Sequence, residues 1–211
     1  MHDRLNQQLV LKNQISSDQK IAQPDKQHIE SPETVIQFGS GALLRGLIDF
    51  FIDKAQRNGK FDGRVVVVNN TRSGRSTRFN EQDGLFTLCE EGFAGGETIR
   101  KFTVNAAVKQ ALPAADHWQQ ILAYARNPKV QPVVYNTTEV RITLQEDDDL
   151  KPDPPHSYPG KLTAFLHERF TTLGGTPDSG MLILPTELIL DNGSKLKEIV
   201  LELAVTNRLG S

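Results

Sequence analysis

The chain has 211 residues, with 24 basic and 26 acidic side chains and a formal net charge of −2 at pH 7. That balance gives no electrostatic case for nucleic acid or an anionic membrane as a partner. Hydrophobic residues at 37% and charged residues at 24% fit an ordinary globular protein. One cysteine, Cys89, rules out an intramolecular disulfide, and no apolar run approaches the ~18–20 residues that span a bilayer. A cytoplasmic protein is the expectation.

Residues 1–32 are rich in Gln, Asn, Asp and Lys and poor in large apolar side chains. A segment like this buries little surface, so a polar N-terminal arm is expected, with Leu9-Val10-Leu11 available to dock locally. The folded domain is expected over residues 33–208.

Its first strand spans residues 34–38 and runs into Gly39-Ser40-Gly41. Leu43, Leu44, Leu47, Ile48, Phe51 and Ala55 then recur at helical spacing, and Asn58-Gly59 ends the helix. This is strand, tight turn, helix, the opening of a βαβ unit. Such a turn can seat a phosphate, because the first helical N–H groups lack intrahelical partners and the helix dipole adds positive charge. Gly39 permits the sharp bend, and Gly41 lets the backbone approach a pyrophosphate with no Cβ in the way. Leu44 stands where the third glycine of the common pattern would be, so the spacing fits a plain structural turn as well.

Residues 64–70 carry four consecutive valines and read as a strand buried on both faces. Residues 71–84 are polar, hold Arg72, Arg75 and Arg78, and read as a loop. Residues 85–89 and 98–108 alternate around a glycine-rich turn at 92–96, a β-hairpin-like insertion. Asp116 is placed to cap a helix bearing Trp118, Ile121, Leu122 and Ala125. A strand over 131–135 ends in Asn136-Thr137-Thr138-Glu139, and the proline-rich, acidic stretch 145–159 is a loop. A helix over 161–170, a strand over 181–184 ending in Pro185-Thr186-Glu187, and a last helix opened by Asp191-Asn192-Gly193 complete the pass.

Strands alternating with helices predict an α/β fold, a doubly wound and mostly parallel sheet. In that architecture ligands bind beyond the carboxyl ends of the strands. Four polar turns fall at such ends: 39–41, 69–72, 136–139 and 185–187. Asn69 and Asn70 occupy the place where a dinucleotide fold puts Asp or Glu on the adenosine ribose. An amide can hydrogen-bond a hydroxyl without repelling a 2′-phosphate, so NAD and NADP both stay open. Asn136, Thr137 and Thr138 suit contacts to nicotinamide and its ribose, with Glu139 toward the substrate. Read without a ligand, they form a strand-end turn. Glu187 either caps the next helix or supports the site. His2, His28, His117, His156 and His167 show no metal-ligand spacing, Asp147-Asp148-Asp149 reads as a solvated loop, and Cys89 reads as a buried or half-buried thiol. No nucleophile–base pair is legible in the spacing.

Several of these stretches together resemble a known family. Ile36-Gln37-Phe38-Gly39-Ser40-Gly41-Ala42-Leu43-Leu44-Arg45-Gly46 is similar to the cofactor loop of the polyol-specific long-chain dehydrogenases, the mannitol dehydrogenase family, whose turn reads Gly-x-Gly-x-x-x-Arg. The stretches 80–89, 136–139, 161–170, 185–188 and 191–200 follow in the same order and resemble the branch that interconverts tagaturonate and altronate.

The resemblance implies a Rossmann-type NAD-binding domain of an oxidoreductase that moves hydride between nicotinamide and a sugar-acid carbon, without a metal. It implies cofactor contacts from Ile36, Gln37, Phe38, Gly39, Ser40, Gly41, Ala42, Leu43, Leu44, Arg45, Asn69, Asn136, Thr137 and Thr138, with Glu139 as an auxiliary group. It also implies that the general base, a lysine supported by Asn and His, belongs to a C-terminal helical domain beginning beyond Ser211. This chain would then be a cofactor domain, inactive alone. The partners expected are a dinucleotide and, in the full-length enzyme, a sugar-acid or polyol substrate. A non-catalytic domain of the same fold, or the cofactor domain of another polyol or sugar-acid dehydrogenase such as mannitol dehydrogenase or fructuronate reductase, is the alternative.

Overall fold

The computed structural model describes residues 4–12, 15, 20–69, 74–136, 150 and 154–210, except for the side chains of Arg75 and Ala94. The helices are α1 (Gln7–Leu11), α2 (Lys26–Glu30), α3 (Asp49–Arg57), α4 (Gly74–Asn80), α5 (Ala114–Ala125), α6 (Tyr158–Leu173) and α7 (Asn192–Thr206). The strands are β1 (Ile21–Ala22), β2 (Glu33–Phe38), β3 (Arg64–Asn69), β4 (Phe86–Ala94), β5 (Glu97–Asn105), β6 (Val108–Pro113), β7 (Pro132–Tyr135) and β8 (Leu182–Pro185). They form a five-stranded sheet in the order β6-β3-β2-β7-β8 and a three-stranded sheet in the order β1-β5-β4. The pairs β2·β7 and β7·β8 are parallel, with Phe38 opposite Tyr135 and Tyr135 opposite Pro185. The carboxyl ends of these three strands therefore lie level. Among the described residues no helix is long and apolar enough to cross a membrane.

Contacts group the chain into two compact units, one comprising Met1–Glu33, Gly41–Val67 and Ser73–Ala111, the other Thr34–Ser40, Val68–Arg72 and Leu112–Ser211.

In the first unit, Val10 and Ile29 of the N-terminal stretch are buried with Leu85, Val104 and Ala106. The few apolar side chains of a polar segment are thus the ones that dock it. Arg64, fully buried, donates to the carbonyls of Ile29 (2.6 Å), Ala106 (2.9 Å) and Val108 (2.5 Å). Burial pushes its guanidinium down to about 10, a cost the three carbonyls offset.

The hairpin expected from the alternation is present: β4 and β5 are antiparallel from Phe86↔Asn105 to Ala94↔Glu97, around Gly95-Gly96. Its charges pair across the strands, Glu90 with Lys101 (3.2 Å) and Glu91 with Arg100. Cys89 is exposed on β4, not buried. A strand flanked by only one neighbour in a three-stranded ribbon has little to cover it.

Three further expectations are corrected. The stretch 98–108 is two strands, split after Asn105, and β6 joins the larger sheet. Residues 74–80 form a helix where the polar composition suggested loop, and Asn80 pins it by exchanging hydrogen bonds with the Ala111 backbone (2.9 and 2.8 Å). The helix after the glycine turn buries a different face from the one its apolar spacing indicates. Leu43, Leu47 and Phe51 are 46%, 42% and 54% exposed, while Asp49, Asp53 and Gln56 are buried. Residues Leu44–Ile48 wind as a π-helix, which shifts the register, and on the buried face Asp53 is held by Arg57 and the Ala106 N–H.

In the second unit, α5, α6 and α7 bury Trp118, Ile121, Ala125, Leu162, Phe165, Leu196 and Leu203. Each fully buried Ile, Leu or Phe among them contributes about 2 kcal/mol. Pro113, not Asp116, holds the N-cap position of α5, and Asp116 lies in the first turn. α6 begins three residues before 161, because Ser157 accepts the Gly160 N–H (2.9 Å) and Pro159 suits the first turn. Arg169 ties α6 to the α5 C-terminus by donating to the carbonyls of Ala125 (3.2 Å) and Asn127 (3.0 Å).

Candidate functional site

The carboxyl ends of β2, β3, β7 and β8 converge through backbone hydrogen bonds in the second unit. The Gly39 N–H donates to the Val68 carbonyl (2.9 Å), and the Asn136 N–H donates to the Phe38 carbonyl (3.4 Å). The Thr186 N–H and hydroxyl both donate to the Tyr135 carbonyl (2.9 Å each), and the Asn136 amide donates to the Thr186 carbonyl (3.0 Å). Residues 39, 69, 136 and 186 are therefore neighbours along one edge, which the sequence pattern alone suggested only as a set of strand ends.

Behind that edge sits a layer of rings. Tyr135 stacks on Tyr158 with centroids 3.2 Å apart, and Phe38 meets Tyr158 edge-on at 5.1 Å. All three are buried. Burial first, then the neighbouring Tyr135 and Glu187, push the Tyr158 phenol well above the ordinary tyrosine value. Sequence reasoning missed Tyr158, which stands inside the stretch read as loop. The Ser157-Tyr158-Pro159 helix start was the available signal. Glu187 is buried, and Asn192 fixes its loop by donating to the carbonyls of Pro185 (3.1 Å) and Glu187 (3.0 Å).

At the turn itself, Ile36, Gln37 and Phe38 are buried, and the Gln37 amide donates to the Gly39 carbonyl (3.3 Å). Gly39 has φ of +110°, a backbone conformation reserved in practice for glycine. Gly41 differs. Its φ is ordinary, and a Cβ built on it would meet no heavy atom within 4 Å. Neither conformation nor packing in this protein requires glycine there. The first i→i−4 bond of the following helix runs from the Arg45 N–H to the Gly41 carbonyl (3.2 Å), so the N–H groups of Ala42, Leu43 and Leu44 precede the helical ladder. A bare turn, open space in front of it and a helix start are what a diphosphate requires, so the residues present fit a dinucleotide.

Leu43 is exposed, Leu44 buried, Arg45 half-buried, and Asn69 closes β3 at 6% exposure. Thr137, Thr138 and Glu139 lie outside the described residues, as do Asn70, Arg72 and Asp147-Asp148-Asp149. Among the described residues no group of three or more His, Cys, Asp and Glu could hold a metal. A groove of about 280 Å³ lined by α6, β8 and α7 is apolar except for Lys197, and lacks the polar groups a dinucleotide needs.

The family described as mannitol dehydrogenase Rossmann domain matches residues 33–210. An altronate oxidoreductase from Halalkalibacterium halodurans is 41% identical over 170 residues, 80% of this chain and 33% of that protein. The Bacillus subtilis altronate oxidoreductase is 36% identical over 177 residues, 84% of this chain and 37% of that protein. The chain thus spans about a third of the length of these relatives. A solved structure of Pseudomonas fluorescens mannitol 2-dehydrogenase with NAD and D-mannitol superposes with a TM-score of 0.80 at 21% identity, covering 96% of this chain and 42% of that one. A substrate-free D-sorbitol dehydrogenase gives 0.74 at 19% identity, over 96% and 43%. At those identities the superpositions establish the fold.

Proposed function

Because this chain belongs to the mannitol dehydrogenase family and matches its Rossmann domain, we propose that it is the NAD-binding part of an oxidoreductase that interconverts altronate and tagaturonate. The observation that carries the cofactor reading is Gly41. A glycine that the fold itself does not need, facing open space at a helix start, is explained by a ligand that approaches the backbone there. The substrate reading rests on the identity to altronate oxidoreductases.

In this reading the Gly39-Ser40-Gly41 backbone and the N–H groups of Ala42, Leu43 and Leu44 hold the diphosphate, with Arg45 following in the helix. Asn69 meets the adenosine ribose, while Asn136, Thr137 and Thr138 orient the nicotinamide end. Bound NAD supplies the hydride acceptor. Proton transfer from the substrate hydroxyl falls to the lysine, asparagine and histidine that the family resemblance implies, with Glu139 an auxiliary. Those three belong to the two thirds of the relatives that this chain does not span. A cytoplasmic location accompanies this function.

Calorimetric titration with NAD tests the reading, using Gly41→Val as the discriminating variant. Saturable binding that the variant abolishes while its melting temperature stays unchanged supports the assignment. No heat of binding at millimolar NAD, or equal affinity in the variant, overturns it.

A further inference from the structure

A buried amide stands behind the glycine turn. Gln37 lies in β2 between Ile36 and Phe38, and the other buried side chains of that strand are apolar. At 0% exposure it offers a ligand no surface, so any part it plays runs through another group. Its Nε2–H donates to the Gly39 carbonyl at 3.3 Å, a long bond, while its Oε1 has no hydrogen-bond partner among the described residues. A weak neutral bond stabilises by less than a buried, unsatisfied amide oxygen costs. The amide is therefore a net cost to the fold in a strand that packs apolar side chains on either side of it. A buried polar group of this kind marks a position that serves something other than stability.

What the bond fixes is one peptide plane. The Gly39 N–H is tied to the Val68 carbonyl (2.9 Å), which sets the peptide before the glycine. β2 ends at Phe38, so the next peptide, Gly39–Ser40, lies past the strand. Glycine lacks the Cβ that would restrict rotation of that plane. The Gln37 bond holds its carbonyl toward the buried amide. In a planar trans peptide the N–H points opposite to the C=O, so the Ser40 N–H points away from Gln37. The chain passes there from buried Phe38 through half-buried Ser40 to exposed Gly41.

We infer that Gln37 is a positioning residue for the diphosphate: by holding the Gly39 carbonyl it aims the Ser40 N–H at the phosphate oxygens. The inference rests on the dinucleotide reading above and adds to it a residue that never meets the ligand. A flipped Gly39–Ser40 peptide would present a carbonyl oxygen to the phosphates and turn an attraction into a repulsion. The orientation of this one plane therefore bears directly on affinity.

The test is calorimetric titration of the 211-residue chain with NAD and with ADP-ribose, which keeps the diphosphate and lacks the nicotinamide. It uses wild type, Gln37→Met and Gln37→Leu. Both substitutions remove the donor and the unpartnered oxygen together, and are expected to melt no lower than wild type. Both are expected to raise the dissociation constants of NAD and ADP-ribose by the same factor, about tenfold, the size of one hydrogen bond to a charged group. A merely structural glutamine would not lose affinity while stability is kept. Affinity within about threefold of wild type in a folded variant overturns the inference and leaves the dinucleotide reading intact. So does weaker NAD with unchanged ADP-ribose, which puts the effect at the nicotinamide end. If both variants melt more than about 4 °C below wild type, Gln37 is a structural group and the inference falls. If only one melts low, the other decides. Wild-type protein that binds neither ligand overturns the dinucleotide reading itself, and this inference with it.

Discussion

Asp53 and Arg57 lie one turn apart on α3, and the Arg57 Nε–H donates to Asp53 Oδ2 at 2.6 Å. Both also leave the helix. Asp53 Oδ1 accepts the Ala106 N–H (2.9 Å), while the guanidinium donates to the carbonyls of Gln23 and Val104 (2.8 Å each). The pair joins the N-terminal stretch, the helix and the end of β5, and it is the reason a helix with a clear apolar stripe buries its polar face.

Removing Asp53 would leave the Ala106 N–H and the Arg57 Nε–H without acceptors and the guanidinium without its counter-charge. Asp53→Ala is expected to cost about 3 kcal/mol. Arg57→Ala is expected to cost about 1–2 kcal/mol, because its side chain is a quarter exposed. Urea unfolding of both variants and the double variant measures this. A loss below about 1 kcal/mol for Asp53→Ala would remove the network from the account of α3.

Two glycines should separate cleanly under alanine substitution. Gly84 has φ of +77°, and a Cβ there would sit 2.3 Å from the Val108 carbonyl oxygen. Gly84→Ala therefore carries left-handed strain and a backbone clash, and is expected to cost about 3 kcal/mol. Gly41→Ala meets nothing and is expected to stay within about 0.5 kcal/mol of wild type. Thermal melts of the two variants make the comparison. Equal destabilisation would mean that Gly41 is a structural glycine, against its assignment to a ligand.

Much of this architecture is legible in the residues. The valine run of β3, the apolar lead into Gly39, the Asn58-Gly59 helix end and the Asp191-Asn192-Gly193 helix start each have a local physical cause, and each falls where the structure has it. What local pattern could not supply is long-range satisfaction of polar groups. α4 is held by Asn80 bonding to Ala111, 31 residues away, and Arg64 finds its carbonyls 35 to 44 residues away. The buried face of α3 depends on a π-turn that no periodicity announces. At the site, strand-end turns could be enumerated from the sequence, but their adjacency could not. The bonds Gly39–Val68 and Asn136–Thr186 create it.

The ring layer gives a pH dependence with a definite sign. Tyr158 is fully buried and its folded pKa lies well above 10. Above pH 10 the unfolded chain releases this proton while the folded chain retains it. The group's contribution to stability is therefore complete below about pH 10 and is lost as pH rises beyond it. Its hydroxyl has no hydrogen-bond partner among the described residues, so Tyr158→Phe is expected to be neutral or mildly stabilising at pH 7. The variant should also show a shallower fall in stability between pH 10 and 11.5, by up to about one proton's slope. Urea midpoints across that range measure both. A slope identical to wild type would mean that Tyr158 ionises without unfolding.

Cys89 offers a direct check on the exposed hairpin. The thiol is accessible on β4, with Glu91 near it, and its pKa is raised by desolvation and by that carboxylate. The thiolate is the reactive form. Native protein is expected to give one titratable thiol with Ellman's reagent, without denaturant. It should react more slowly than a small free thiol at pH 8 and speed up as pH rises. Glu91→Gln removes two of the causes that raise the pKa, the negative charge and the carboxylate hydrogen bond, and should accelerate the reaction at pH 8 while leaving the thiol count at one. A thiol that reacts only after unfolding would place Cys89 in a covered environment, and the outer half of the ribbon with it.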